Sequence, residues 1–312
     1  HDSSYKQYDP APRYHARDAA MMLARLHGGK TLLGSATPSL ESYHNARSGR
    51  YGLVELMTRY GNVMLPEMII ADTRSTGKKR GPETYFTPRL LEAIEEALSR
   101  EEQVILFQNR RGFSPFLMCS ECGHVPACTN CSVSYTYHKS IGRLVCHYCG
   151  KSVRLPSVCP ECGSTGLTTR GFGTEKIEEE IRLLFPSARV ARMDQDTVRN
   201  RNAASGILGN FAAGETDILI GTQMISKGLD FEKLTVVGIL DADNMMHFPD
   251  FRAHERSFQL IAQVSGRAGR RTRRGKVIIQ TADPANPILR QVLKNDFRSM
   301  SGSQLEERSL FG

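Results

Sequence analysis

The chain has 312 residues and a formal net charge of +8, with a pI near 9.1, so its length allows two domains, or one domain carrying an insertion. No apolar run reaches the length of a membrane helix, and the first residues carry no secretory pattern. The absence of tryptophan and a 7% aromatic content argue against extensive base-stacking surfaces, whereas the positive charge points to an anionic partner, most simply nucleic acid. The first residue is histidine, and the chain reads as a piece of a longer protein.

Residues 1–18 are polar, with Tyr5, Tyr8 and Tyr14 among basic groups, and two prolines oppose a helix through Asp9 to Arg13. This is either a solvated loop or an aromatic, basic loop that senses DNA. Helical spacing follows from Ala16 to Leu26 and ends at Gly28-Gly29. Thr31 to Ser35 (TLLGS) predicts a short buried strand running into Ala36-Thr37-Pro38-Ser39. Small hydroxyl residues there suit a ligand-facing loop at a strand end, and Ser39 equally suits an ordinary helix cap. Extended patterns surround Pro66 (LVELM, EMIIAD), and Thr76 to Pro82 reads as a loop. Thr87 is placed to cap a helix from Pro88 to Arg100 with proline in its first turn. Val104 to Phe107 predicts a buried strand ending in Gln108-Asn109-Arg110-Arg111-Gly112-Phe113, whose arginines suit either phosphate or a surface turn.

All eight cysteines fall between 119 and 162 in four Cys-x-x-Cys knuckles: Cys119/Cys122, Cys128/Cys131, Cys146/Cys149 and Cys159/Cys162. Each knuckle presents two thiolates from a tight turn, and two knuckles complete one tetrahedral zinc site, so four imply two zinc ions. A predicted hairpin, Ser132 to His138 and Arg143 to Cys149 about a turn at Lys139 to Gly142, sets the second knuckle opposite the third. The sites are therefore expected to nest: Cys128, Cys131, Cys146 and Cys149 in one, Cys119, Cys122, Cys159 and Cys162 in the other. A disulfide framework is disfavoured by the x-two spacing. His124, His138 and His147 are surplus to two filled sites and are assigned to the surface.

Beyond the cysteines, Thr174 is expected to cap a helix from Glu175 to Phe185 with an acidic first turn. Strands are predicted at Arg189 to Met193, Asp217 to Gly221, Val236 to Leu240 and Lys276 to Gln280, with a helix over His254 to Gly266. Short apolar strands alternating with helices indicate an α/β fold with a parallel sheet covered on both faces, interrupted by the zinc segment. Residues 283–312 lose the pattern. In Gln263-Val264-Ser265-Gly266-Arg267-Ala268-Gly269-Arg270, the two arginines lie one turn apart if helical, which suits a γ-phosphate. A basic surface stripe with Arg271, Arg273 and Arg274 is the equal alternative.

Read together, Gly34 to Ser39 (motif III), Ile220 to Gly228 (motif V) and Gln263 to Arg270 (motif VI) occur in the order found in helicases with two RecA-like lobes, and the chain resembles that superfamily. The eight-cysteine insertion, with FQNRRGF, GFGTE and DADNMMHFPDFRAHER, is similar to the replication-restart helicase family of bacterial primosomes. The likeness covers residues 1 to about 290. It implies an ATP-dependent 3′-to-5′ DNA helicase acting on branched DNA at stalled forks, cytoplasmic, with ATP and Mg²⁺ in the full-length protein besides two Zn²⁺. Its implied partners are single-stranded or branched DNA, other primosome proteins and single-stranded-DNA-binding protein.

The resemblance also implies an RecA-like lobe organisation. Residues 1–60 would close lobe one, 61–118 and 166–290 would form lobe two, 119–165 the two-zinc insertion, and 291–312 the start of a truncated carboxyl-terminal region. His1 would end the Asp-Glu-x-His box, whose acidic residues and the Gly-Lys-Thr phosphate loop do not occur here. This piece is therefore expected not to turn over ATP alone. Tyr5 and Tyr14 belong to the implied aromatic-rich loop; Ser35, Ala36 and Thr37 would relay between nucleotide and DNA; Thr222, Gln223 and Lys227 would face DNA. Gly228, Asp230 and Gly266 would lie on the nucleotide side, and Gln263, Arg267 and Arg270 would be catalytic. The competing reading is a non-enzymatic, zinc-stapled module that binds nucleic acid or protein.

Overall fold

The structure is a computed structural model that describes residues 5–7, 11–56, 64–74, 84–109, 116–131, 133–138, 141–170, 174–194, 197–198, 201–226, 231–269 and 274–310. It divides into two compact units, residues 1–57 and 58–312.

The first unit contains two helices, α1 (Ala16–Leu26) and α2 (Leu40–Arg47). The His15 Nδ1 accepts from the Arg17 amide at the start of α1, and Gly28, at φ +68°, ends it in the left-handed conformation that glycine adopts without a Cβ penalty. Ser39 is the cap of α2, its Oγ accepting from the Ser42 amide at 3.3 Å. Arg17 Nη1 donates to Ser39 Oγ at 3.0 Å and Ser42 Oγ at 2.9 Å, tying the two helices together. Thr31 to Ser35 forms no strand, and Leu32 is 96% exposed. A strand requires a hydrogen-bonding neighbour, and among the described residues of this unit there is only an isolated Lys6–His15 bridge. The apolar run therefore remains irregular despite its β propensity.

The second unit begins with β1 (Glu67–Asp72), α3 (Pro88–Leu98) and β2 (Gln103–Gln108). Pro88 sits in the first turn of α3 as expected, although Thr87 makes no side-chain cap bond. Its amide instead donates to Gln280 Oε1 at 2.6 Å. A cysteine-rich insertion follows, from β3 (Phe116–Cys119) through the small strands β4 (Thr136–His138), β5 (Arg143–Val145) and β6 (Ser152–Arg154) to β7 (Leu167–Arg170). The α/β alternation then resumes with α4 (Thr174–Leu184), β8 (Val190–Met193), α5 (Arg201–Ala212), β9 (Ile218–Gly221), β10 (Leu234–Leu240), α6 (Ala242–Met246), α7 (Ala253–Ser265) and β11 (Lys276–Thr281). Two further helices, α8 (Pro287–Leu293) and α9 (Phe297–Leu310), close the chain. Thr174 is thus inside α4 rather than before it, and its hydroxyl donates to the buried Asp194 carboxylate.

Six strands form one sheet in the order β1-β11-β10-β2-β9-β8, and every neighbouring pair is parallel. On one face, Leu90, Ile94 and Ala97 of α3 and Ile177 and Ile181 of α4 pack on Val104, Leu106, Ile218, Ile220, Val236 and Ile278. On the other, α7 lies against β10 and buries Phe258, Ile261 and Val264. Central strands covered on both sides are near-continuous apolar runs, and β2 and β10 are buried at every residue, including the polar Gln103, Gln108 and Thr235.

Residues 283–310 correct the sequence expectation, because α8 and α9 pack on α7 and on each other. Asn286 caps α8 through Oδ1, accepting from the Ile288 amide, with Pro287 in the first turn. Phe297 meets Phe258 edge-on at 5.9 Å, and Arg308 donates to the buried Glu255 at 2.7 Å.

The closeness of α3 to the sheet depends on Gly238 in β10. A Cβ there would lie 2.8 Å from Leu106 Cδ2 and 2.9 Å from Leu90 Cδ1, and both leucines are fully buried. Gly238→Ala is expected to destabilise the fold by about 1–3 kcal/mol through overpacking. The denaturant midpoint measures this, and an unchanged midpoint would show that α3 can lift off the sheet without cost.

Candidate metal centres and motor face

The insertion leaves the sheet side through β3 and returns through β7, which pair antiparallel with Cys119 opposite Leu167. Above this base, β4, β5 and β6 form a small antiparallel sheet. The predicted hairpin is present as β4 and β5, with Thr136 opposite Val145 and His138 opposite Arg143. The third strand, β6, was not anticipated.

The cysteines gather in two groups, Cys119, Cys122, Cys159 and Cys162, and Cys128, Cys131, Cys146 and Cys149, with all sulfurs of a group within 4.8 Å of one another. This is the nested pairing implied by the hairpin. All eight are free thiols rather than disulfides. Sulfur separations are 3.6 Å for Cys119–Cys162 and 3.7 Å for Cys122–Cys159 and Cys128–Cys149. A tetrahedron with Zn–S bonds of about 2.3 Å has edges of about 3.8 Å, so both groups fit zinc. The knuckles share a local device: Gly123, Gly150 and Gly163 follow the second cysteine at φ +79°, +73° and +71°. Their amides donate to the carbonyls of Cys119, Cys146 and Cys159, folding each turn back on itself.

Burial raises the Cys119 thiol, but amide donors from Cys122 and Glu121 outweigh it and bring the thiol down to about 7. Cys128 is likewise brought to about 7, by the Asn130 and Cys131 amides acting against burial. Burial and the neighbouring thiols hold Cys122 and Cys131 at about 12. Four crowded thiols resist sharing four negative charges, and a divalent cation removes that resistance.

None of His124, His138 and His147 belongs to either cysteine group. His138 and His147 meet each other at 2.8 Å between Nε2 atoms, and His124 Nδ1 stands 4.0 Å from Glu161.

The insertion is seated on the lobe rather than tethered loosely. Gly123 packs so tightly that a Cβ would come within 2.7 Å of the Ala282 carbonyl oxygen. Phe116, Met118, Val125 and Ala282 form one buried cluster. Phe116 also faces the His247 ring at 5.7 Å, and Ser134 Oγ lies 3.5 Å from His247 Nδ1. Burial holds His247 neutral, its pKa lowered to about 4, with His254 and His124 adding to the effect. On the lobe side, Asp243 accepts from Thr281 Oγ1 at 2.6 Å and the Ala282 amide at 2.8 Å, fixing the end of β11 on which Gly123 rests.

The motif residues of the second unit lie around α7. Thr222 and Gln223 leave the carboxyl end of β9 and enter a short 3-10 turn, Gln223–Ser226, that packs on α7 and β2. Gly221 permits this turn, since a Cβ would sit 2.8 Å from both the Met193 carbonyl oxygen and Ile225 Cγ2. Gln223 Nε2 donates to Asn109 Oδ1 at 3.3 Å, joining the ends of β9 and β2. Gln263 is on the last turn of α7, Gly266 is its C-cap, and half-buried Arg267 follows, its amide donating to the Val264 carbonyl at 3.0 Å. The turn is anchored where the Gly269 amide reaches the Leu234 carbonyl at the start of β10, at 3.0 Å. Gly275 closes over it, leaving a hypothetical Cβ only 2.5 Å from the Ala268 carbonyl carbon. Lys227, Gly228, Asp230 and Arg270 lie outside the described residues.

In the first unit, Tyr5 and Tyr14 are 54% and 50% exposed. Tyr5 stacks on His15 at 6.5 Å, the Gln7 amide donates to the Tyr14 carbonyl at 2.9 Å, and the Thr37 amide donates to Ser35 Oγ at 3.1 Å.

A family model described as the PriA DNA helicase Cys-rich region domain matches residues 128–154, and the helicase conserved C-terminal domain matches 171–272. The replication restart protein PriA of Bacillus subtilis is 45% identical over 308 residues, which cover 99% of this chain and 38% of that protein. The chain belongs to the PriA family. PriA of Haemophilus influenzae is 42% identical over 312 residues, covering 100% of this chain and 42% of that protein. The chain thus spans well under half the length of these relatives. Among solved structures, RecG bound to a three-way DNA junction aligns with a TM-score of 0.50 at 15% identity, over 89% of this chain and 27% of that chain. That likeness concerns the fold alone, a RecA-like lobe with a parallel sheet, which in this chain carries a cysteine-rich insertion.

Sequence reasoning missed Asp243, His247 and the Asn109–Gln223 contact. Each lies in a stretch singled out only as a motif, and no spacing rule marks a residue whose role depends on another strand. Cys146→Ser is expected to release one zinc and unfold the outer hairpin of the insertion, because zinc coordination there supplies folding free energy. Metal analysis should fall from about two ions per chain to about one, and an unchanged content contradicts the assignment.

Proposed function

We propose that this chain supplies the second motor lobe, and the closing part of the first, of an ATP-dependent 3′-to-5′ DNA helicase that unwinds branched DNA at stalled forks for replication restart. In this reading residues 1–60 belong to lobe one, 61–118 and 166–290 to lobe two, 119–165 to the zinc insertion, and 291–312 begin a carboxyl-terminal region. The full-length protein would act in the bacterial cytoplasm with ATP and Mg²⁺. Its partners would be single-stranded or branched DNA, other primosome proteins and single-stranded-DNA-binding protein. Among the described residues no helix is long and apolar enough to cross a membrane.

The observation that carries this reading is the anchoring of Arg267. An arginine that stabilises phosphoryl transfer must be held before the charge develops. Here the residue follows a helix cap and precedes a turn bonded to β10 and packed by Gly275. A guanidinium held there offers paired donors to a γ-phosphate contributed from the other lobe. Gln263 lies on the last turn of α7, just before the cap that leads to Arg267. In this reading Arg270, Gly228, Asp230 and Gly266 complete the nucleotide side. Thr222, Gln223, Lys227, Thr37, Tyr5 and Tyr14 contact DNA, chiefly through phosphates, so affinity falls steeply with salt.

The test uses the full-length protein. Arg267→Ala should leave DNA affinity nearly intact and reduce DNA-stimulated ATP turnover by about a thousandfold or more, as expected for an arginine finger. Arg267→Lys should restore little, since an ammonium cannot bond in paired fashion. Equal loss of DNA affinity and turnover would make Arg267 a DNA contact instead. Absence of turnover in the zinc-loaded wild type would favour the non-enzymatic binding module.

A further inference from the structure

A cavity of about 590 Å³ lies between the zinc insertion, the segment joining α6 to α7, and α9. Its size falls within the range of about 300–1,000 Å³ typical of small-ligand sites. It opens beside Tyr148 of the third knuckle and Phe251, which meet edge-on at 6.3 Å and are 51% and 47% exposed. The Phe251 amide donates to the Tyr148 hydroxyl at 3.4 Å, so the two rings are held together across the boundary between insertion and lobe. The guanidiniums of Arg252 and Arg308 lie 4.5 and 5.1 Å from the Phe251 ring centre.

Two polar atoms of residues lining this cavity are sealed from solvent without a hydrogen-bond partner among the described residues: His247 Nε2 and Arg308 Nε. Other nitrogens of both side chains are engaged, His247 Nδ1 lying 3.5 Å from Ser134 Oγ and Arg308 Nη2 donating to Glu255 at 2.7 Å, so they form a fixed wall of the cavity. The carboxylates Asp250 and Glu307 also line the cavity. Asp250 is paired with Arg256, and Glu307 accepts from Gln304 Nε2 at 2.8 Å. They disfavour a phosphate inside but accept from an exocyclic amine, as carboxylates do from cytosine. The occupant is therefore uncharged, presents a hydrogen-bond donor to the carboxylates, and offers a flat face to the Tyr148–Phe251 pair.

We propose that this cavity seats one unstacked nucleobase of a single DNA strand, leaned on Tyr148 and Phe251. The proposal rests on the DNA-helicase reading and deepens it. The cavity wall begins at Met246, the last residue of α6, which follows β10 directly, and the 3-10 turn after Thr222 follows the carboxyl end of β9. β9 and β10 are parallel to β2, which lies between them, so both carboxyl ends are on the same side of the sheet, about 10 Å apart. A base parked there marks the point where the strand passes from motor to zinc insertion.

The experiment measures affinity of the full-length, zinc-loaded protein for single-stranded oligonucleotides in which one abasic residue is moved stepwise. One position is expected to weaken binding about tenfold, the size of a lost base–aromatic stack. Phe251→Ala and Tyr148→Ala should each abolish that position dependence while retaining both zinc ions and the salt-dependent background. Equal affinity for every abasic position, or a dependence that survives both substitutions, overturns the proposal. So does loss of a protein partner in Phe251→Ala with DNA binding unchanged, which would assign the cavity to a peptide. Absence of any salt-dependent DNA binding would instead remove the underlying helicase reading.

Discussion

The closure of the first cysteine group holds the insertion together at its base. A parallel sheet tolerates an insertion only if the chain leaves and returns at neighbouring points. Cys119 and Cys162, 43 residues apart in sequence, bring their sulfurs to 3.6 Å at the base of the excursion. The adjoining β3 and β7 continue the same clamp as an antiparallel pair. β2 and β9 lie side by side in the sheet although the insertion separates them in sequence.

The insertion could not do this by apolar burial alone. Its core consists of Leu117, Val133, Tyr135 and Leu144, with Cys128 and Cys146 buried among them. Units below about 70–80 residues rarely gain more than a few kcal/mol from a single core and commonly add metals or disulfides, and structural zinc in small fingers contributes about 10–16 kcal/mol at neutral pH. The second group fixes the outer hairpin and the first fixes the base. Gly123 then lets the base knuckle press on the Ala282 carbonyl. The chain Asp243–Ala282–Gly123 and the neutral His247 between Phe116 and Ser134 make the insertion part of the lobe's surface, at the end of β11.

Much of this was legible in the sequence because its signals are local. The knuckle spacing fixes pairs of thiols, the hairpin between the second and third knuckles fixes which pairs meet, and unbroken runs such as VILF and VVGIL mark strands buried on both faces. The failures share a cause. Thr31 to Ser35 has the composition of a strand but no ladder partner among the described residues of its unit. The helix α5 is obscured by Gly206 and Gly209, and α9 by a weak apolar face that buries Met300, Ser301 and Gln304 only because α7 and α8 supply the opposing surface. The anchoring of Arg267 is equally invisible in its motif, since it depends on Leu234 and Gly275 from two other strands.

Hydrogen exchange of the second unit before and after zinc is stripped by a chelator tests the central claim most directly. The account predicts that residues 119–165 lose protection while β2, β9 and β10, buried on both faces, keep theirs, because the sheet is stabilised by its own packing and zinc by closure of the insertion. Simultaneous loss of protection in the insertion and the central strands would contradict it, and would make zinc a requirement of the parallel-sheet lobe itself.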